Sequence, residues 1–299
     1  MSEPVLSLSG VFPPIPTPFD LSGDVDRRAL RDNILSWNRY GLAGYAVLGS
    51  NGEAAYLSTD ERTRVLETAR EAIPQGKVLI AGTGGESTRQ TVALTRQAAE
   101  VGADAALVIT PHFFDGKMTS DSLVGYYCAV ADASPIPVLL YNVPKFTHVD
   151  MDAAAVARAA CHPNVIGIKD SGGNVAKLAD MIRLTEPGFQ VLAGSAGFFF
   201  PALALGAVGG VLALANVAPQ QCIDIHRLFQ AGQWDAAAAL QRCMVPVNAA
   251  ITARFGVAGL KAALDLLGYV GGPVRQPLLD LDVSDHDTLR AVLSAGGLL

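Results

Sequence analysis

One beat recurs along most of this chain: a short, continuously apolar run, then a segment with helical spacing. The runs lie at 11–15, 45–48, 78–81, 105–109, 138–141, 165–169, 190–193 and 211–215. Helical patterns lie at 27–40, from 58 onward, and at 88–101, 120–132, 151–161, 174–185 and 198–205. Runs that are apolar at every position are strands buried on both faces, the mark of a parallel sheet wrapped in helices. Eight β-α units within about 225 residues is the size of a closed barrel. An open doubly wound sheet is the alternative. It lacks its fingerprint, because no G-x-G-x-x-G with a later acidic residue follows the first strand, and Gly82-Thr83-Gly84-Gly85 reads as a turn at a strand end. The expectation is an α/β chain: a (β/α)8 TIM barrel over 1–225, carrying the active site, with a small C-terminal helical appendage over 226–299. Helix follows helix there, at 219–231, 234–254, 259–267 and 285–293.

Local signals fit that beat. Pro13 and Pro14 break the first run, so it is irregular at its end. Ser58 and Glu61 form a capping-box pattern at a helix start. Between 191 and 223 no residue is charged, and 197–217 is long enough to span a bilayer. Pro201, the Gly209-Gly210 pair and the β-like run Val211-Leu212-Ala213-Leu214 divide that stretch into a short helix and an interior strand instead.

Half of the 299 residues are apolar, enough for a large core. The net charge of −6 leaves no basic excess to neutralise phosphates, which excludes nucleic acid as a partner, and no Lys/Arg cluster points to an anionic membrane. Cys128, Cys161, Cys222 and Cys243 make no CxxC or Cys/His spacing and read as small core hydrophobes. No basic-then-apolar leader is visible in Met1-Ser2-Glu3-Pro4-Val5, so a cytoplasmic location is expected.

The chemistry of a barrel sits where its strands end. Val165-Ile166-Gly167-Ile168-Lys169-Asp170-Ser171 is a core strand finishing in a lysine. Lys169 either snorkels outward or pairs with Asp170, or it is a desolvated amine able to form a Schiff base, and this stretch alone leaves both open. The other polar strand ends are Ser50 and Asn51, Thr83, Thr110, Tyr141, Ser171, Gly194 with Ser195, and Asn216. None of the five histidines stands in metal-ligand spacing, so no metal is expected. An amine, a phenol and small hydrogen-bonding groups are what Schiff-base chemistry on a 2-oxo acid needs. Each also has a plain reading, as a tyrosine capping the core or as ordinary turns closing βα connections.

Gly49-Ser50-Asn51-Gly52-Glu53, Tyr141-Asn142-Val143-Pro144, Gly167-Ile168-Lys169-Asp170-Ser171, Leu192-Ala193-Gly194-Ser195, Gly209-Gly210-Val211 and Ala215-Asn216-Val217 resemble the dihydrodipicolinate synthase and N-acetylneuraminate lyase superfamily of class I aldolases. The resemblance covers nearly the whole chain. Ser50-Asn51, the Lys-Asp-Ser-Gly-Gly at 169–173, the Leu-Ala-Gly-Ser-Ala-Gly-Phe at 192–198 and Pro246-Val247-Asn248-Ala249-Ala250 look most like 4-hydroxy-2-oxoglutarate aldolase. The resemblance implies a (β/α)8 barrel, Lys169 as the Schiff-base lysine, Tyr141 as proton shuttle with Ser50, and Ser50 and Asn51 holding a pyruvyl carboxylate partly through backbone N–H groups. Strand ends and motifs together give the substrate-binding set Ser50, Asn51, Ser171, Gly194, Ser195 and Val211. No cofactor beyond the covalent imine is implied. The resemblance further implies a small 2-oxo acid as partner and a homotetramer built as a dimer of dimers.

Three positions depart from the family's pattern. Dihydrodipicolinate synthases carry an arginine for the aldehyde's carboxylate shortly after the tyrosine motif, where this chain has Lys145 and Phe146. A neighbouring subunit's tyrosine often completes the hydroxyl relay, at the position that matches Phe113 in Thr110-Pro111-His112-Phe113-Phe114. His148 stands where a glycine is common and either lines the mouth or occupies a turn. The expected activity is cleavage of 4-hydroxy-2-oxoglutarate to pyruvate and glyoxylate. The alternatives are synthase condensation of pyruvate with aspartate semialdehyde, a sugar-acid lyase or dehydratase, and a non-catalytic 2-oxo-acid binding protein.

Overall fold

The computed structural model describes residues 6–299; the amino-terminal stretch read above for a leader, 1–5, lies outside the described residues. In chain order the elements are β1 (Gly10–Phe12), α1 (Arg27–Trp37), β2 (Gly44–Val47), α2 (Thr59–Ala72), β3 (Val78–Gly82), α3 (Thr88–Val101), β4 (Ala105–Ile109) and α4 (Ser120–Ala133). Then come β5 (Val138–Asn142), α5 (Pro144–Thr147), α6 (Ala153–Ala160), β6 (Val165–Asp170), α7 (Val175–Leu184), β7 (Gln190–Ala193), α8 (Phe199–Leu205) and β8 (Gly209–Val211). Four helices close the chain: α9 (Pro219–Gln230), α10 (Trp234–Ala249), α11 (Gly256–Leu266) and α12 (Val283–Ala295).

The eight strands are parallel, in the order β1-β8-β7-β6-β5-β4-β3-β2. Backbone bonds close the seam between β1 and β2: Ala43 N–H donates to Val11 O, Ala46 N–H to Pro13 O, and Ile15 N–H to Ala46 O, at 2.9–3.0 Å. The prolines fit there because Pro13 keeps its carbonyl for the ladder although it has no N–H. The result is a (β/α)8 barrel.

Strand alternation sorts side chains into two apolar layers. Phe12, Ala46, Ile80, Leu107, Leu139, Tyr141, Leu192 and Val211 fill the barrel interior. The second layer lies between strands and helices and includes Val47, Val108, Leu140, Ile168 and Val191; it continues without a break into Met244, Val247, Leu260, Leu289 and Leu293 of the C-terminal helices. On β6, Ile168 and Asp170 therefore face outward and Lys169 faces the lumen.

The last strand differs from its expected position. It is the glycine pair and Val211 that form β8, while Ala213–Asn216 coils into a 3-10 turn. Gly209 is inside the sheet because it must be small: a Cβ there would lie 2.2 Å from Gly10 O. The cysteines also differ from expectation, since Cys222 is buried but Cys161 and Cys243 lie exposed on outer helical faces. Among the described residues no helix is long and apolar enough to cross a membrane.

Candidate active site

Lys169 and Tyr141 face each other across the β5–β6 ladder, where their Cα atoms are register partners. Lys169 is only 4% exposed, and its Nζ stands 4.0 Å from the centroid of the Tyr141 ring. Tyr141 Oη lies 3.3 Å from Ser50 Oγ, within hydrogen-bonding distance. Amine, phenol and serine thus form one contiguous line at the strand ends.

The loop that carries Ser50 is held firmly at its C-terminal end. Leu48 and Glu53 adopt left-handed backbone, with φ of +61° and +52°, which costs a non-glycine residue roughly 1–3 kcal/mol and persists only where surroundings enforce it. Thr17 Oγ1 donates to Gly52 O at 2.7 Å, Arg275 N–H donates to Glu53 Oε2 at 2.8 Å, and Lys261 Nζ pairs with Glu53 Oε1 at 2.6 Å. Ser50, Asn51 and Gly52 form a single 3-10 turn that leads into these anchors, with Ser50 and Asn51 half-buried.

Asp170 does not pair with Lys169. Its carboxylate lies on the outer face, accepting from Gly172 N–H at 2.7 Å and from Asn142 Nδ2 at 3.4 Å, with Lys177 Nζ 3.8 Å away. Among the described residues no carboxylate forms an ion pair with Lys169. The amine is therefore buried against a phenol ring with no carboxylate beside it.

The remaining expected residues gather beside this line. Ser171 Oγ donates to Gly194 O at 3.3 Å, and Gly194 N–H to Asp170 O at 2.7 Å. Gly194 allows that approach: a Cβ would meet Ser171 Oγ at 2.0 Å and Asp170 O at 2.6 Å. Ser195 Oγ accepts from Gly197 N–H at 3.2 Å and from Asn248 Nδ2 at 3.3 Å, while Val211 packs in the interior layer with Tyr141. Asn248 Oδ1 is buried with no partner. Nothing in the spacing of 246–250 showed that Asn248 reaches Ser195 across 53 residues.

Other strand-end candidates serve the scaffold. Thr83 Oγ1 accepts from Thr95 at 2.9 Å, and Asn216 Nδ2 donates to Pro14 O and Ala213 O. Thr110 is buried, with its hydroxyl unpartnered. His148 is the exposed left-handed cap of α5, φ +55°, so it occupies the turn where a glycine is common. Phe113 is 77% exposed and touches Phe114 edge-on, and neither supplies a hydroxyl to the line. No group of three His, Cys, Asp or Glu among the described residues could hold a metal.

Comparison with known proteins places the chain in a family. The model of the "Dihydrodipicolinate synthetase family" matches residues 7–296. The "4-hydroxy-tetrahydrodipicolinate synthase" of Syntrophus aciditrophicus is 37% identical over 290 residues, 97% of this chain and 99% of that one. Among solved structures, the E. coli K12 prophage protein YagE, described as a member of the dihydrodipicolinic acid synthase family in complex with pyruvate, superposes with a TM-score of 0.92 at 31% identity, over 98% of this chain and 100% of that one. A structure described as the first monomeric dihydrodipicolinate synthase variant also gives 0.92, at 29% identity and 97% coverage of both chains. The chain belongs to the dihydrodipicolinate synthetase family, whose pyruvate-dependent carbon–carbon chemistry runs on a lysine imine without an external cofactor.

Proposed function

We propose that this protein is a class I aldolase that cleaves 4-hydroxy-2-oxoglutarate to pyruvate and glyoxylate. Lys169 Nζ adds to the C2 carbonyl, and loss of water gives an iminium. Tyr141, relayed through Ser50, removes the C4 hydroxyl proton; the C3–C4 electron pair moves into the iminium, and glyoxylate leaves. The enamine takes a proton at C3, and water hydrolyses the iminium to release pyruvate and the free amine. Ser50, Asn51, Ser171, Gly194, Ser195 and Val211 form the pocket for the oxo-acid end.

The observation that carries the choice of substrate is Phe146, 53% exposed at the position where the resemblance gives the synthases an arginine. Its neighbour Lys145 donates to Thr252 O at 3.0 Å and holds its ammonium 5.6 Å from the centroid of the Phe146 ring. The second reading, condensation of pyruvate with aspartate semialdehyde, is favoured by the names of the relatives, several of them 4-hydroxy-tetrahydrodipicolinate synthases at 34–37% identity. The division of labour proposed is that 1–225 carries the chemistry and 226–299 braces it, through Asn248 on Ser195 and Lys261 on Glu53. The proposed setting is a cytoplasmic homotetramer, in which the exposed Phe113–Phe114 pair would supply a contact between copies.

Pyruvate with borohydride, followed by intact and peptide mass measurement, tests the covalent step; a reduced adduct on the Lys169 peptide, lost in Lys169→Ala, is the expected result. Turnover of 4-hydroxy-2-oxoglutarate against consumption of pyruvate with aspartate semialdehyde then separates the readings. Faster condensation than cleavage would replace the aldolase with the synthase.

A further inference from the structure

Directly behind Tyr141 and Lys169, the next residue on each strand, Asn142 and Asp170, is again a register pair, with its side chains on the outer face. That face is otherwise apolar: Val108, Leu140 and Ile168 lie in the same layer. Asn142 is fully buried and Asp170 is 1% exposed. Asn142 Nδ2 donates to Asp150 Oδ1 at 2.8 Å and to Asp170 Oδ1 at 3.4 Å, while Asn142 Oδ1 accepts from Met151 N–H at 3.0 Å. Lys177, on α7, pairs with Asp150 and faces Asp170.

A buried polar cluster of this kind is weak evidence for stability, because well-packed apolar side chains of similar size generally do as well. What distinguishes it is placement. It joins β5 to β6 one register step beyond the level where the phenol and the amine face each other, and it ties both strands to α7. A shift of either strand end would change the 4.0 Å between Lys169 Nζ and the Tyr141 ring. Misplacement on the order of 1 Å can cost about 10²-fold in rate.

We propose that Asn142 and Asp170, secured by Lys177, are positioning residues that fix the Tyr141–Lys169 spacing, so that proton transfer on the imine depends on them while imine formation does not. This rests on the assignment of Lys169 and Tyr141 given above. The test uses pyruvate alone: borohydride trapping counts sites that form the imine, and deuterium entry into the pyruvate methyl group in D2O counts proton transfer to and from the enamine carbon.

In Asn142→Ala and Asp170→Ala, exchange per trappable site is expected to fall about tenfold or more. Asp170→Asn keeps an acceptor for Gly172 N–H and Asn142 and is expected to stay within about threefold of the parent. Lys177→Met, at the edge of the cluster, serves where the alanine variants do not fold, with an expected fall of about threefold or more. Unchanged exchange per trapped site in the folded variants, with only the melting temperature lowered, overturns the brace and leaves the lysine assignment standing. Absence of trapping in the parent protein overturns both.

Discussion

Lys261 is buried even more deeply than Lys169, yet its surroundings are of the opposite kind. Its ammonium pairs with Glu53 at 2.6 Å, donates to Pro273 O at 2.8 Å and stands 4.3 Å from the Phe19 ring centroid. Burial pushes its pKa down, and the Glu53 carboxylate pulls against that shift. Replacing Lys261 by Met strands the Glu53 carboxylate in the interior, so a loss of about 3–5 kcal/mol in denaturant unfolding is expected, and Glu53→Gln with Lys261→Met should lose less than the single variant. Lys169 has no such counter-charge. Lys169→Met, of similar length, is expected to lose all imine trapping while unfolding within about 1 kcal/mol of the parent, the pattern of a residue kept for function at no gain in stability. A Lys169→Met variant as unstable as Lys261→Met would reveal a partner for the amine and sink its role as nucleophile.

At the scale of elements, the tightest constraint on the site is the approach of β6 and β7. Gly194→Ala places a methyl where Ser171 Oγ and the Asp170 carbonyl already are, at 2.0 and 2.6 Å, so one strand end must move. Turnover is expected to fall by about 10²-fold, with the melting temperature reduced as well. Helix α2 offers a pH test. Its capping-box residue Glu61 accepts the Arg275 guanidinium on both oxygens, at 2.6 and 3.0 Å, and Arg275 holds the Glu61 pKa down from 4.5 to about 2. A lowered carboxylate contributes stability that is present above its unfolded value and lost as pH falls through the folded one. The difference in urea midpoint between the parent and Glu61→Gln is therefore expected to be constant above about pH 4.5 and to shrink toward about pH 2. A difference that does not change over that window would show that the pair contributes nothing. The elements themselves were legible from sequence because buried parallel strands are apolar at every position and the helix starts carry caps, as at Ser58. β8 was the exception. Glycine reads as punctuation, yet Gly209 and Gly210 are the strand, chosen for close backbone approach that no local pattern announces.

Across the whole molecule, what the sequence concealed is long-range polar pairing. Lys169, Tyr141 and Ser50 stood out because each ends an apolar run, and the barrel brings strand ends together. Glu53 with Lys261, Asn248 with Ser195, and Asn142 with Asp170 gave no such signal: a polar residue reads as solvated until its partner, 28 residues away or more, is known. These links make the C-terminal helices part of the barrel's mechanics, and the outer apolar layer runs through both without interruption. That continuity leads us to expect the barrel and the C-terminal helices to unfold as one unit. Trp37, in α1, is placed to report it: its ring stacks on Tyr269 at 5.4 Å, beyond α11, and its Nε1–H donates to Asn216 O at 3.0 Å, after β8. In Trp234→Phe, which removes the exposed second tryptophan, Trp37 fluorescence and far-ultraviolet circular dichroism are expected to change at the same urea concentration. If the helical region detached first, Trp37 would lose Tyr269 and its fluorescence would change while most of the helical signal remained. The braces on Ser50 and Ser195 would then be too weak to hold the site, because the loops they pin would come free before the barrel did.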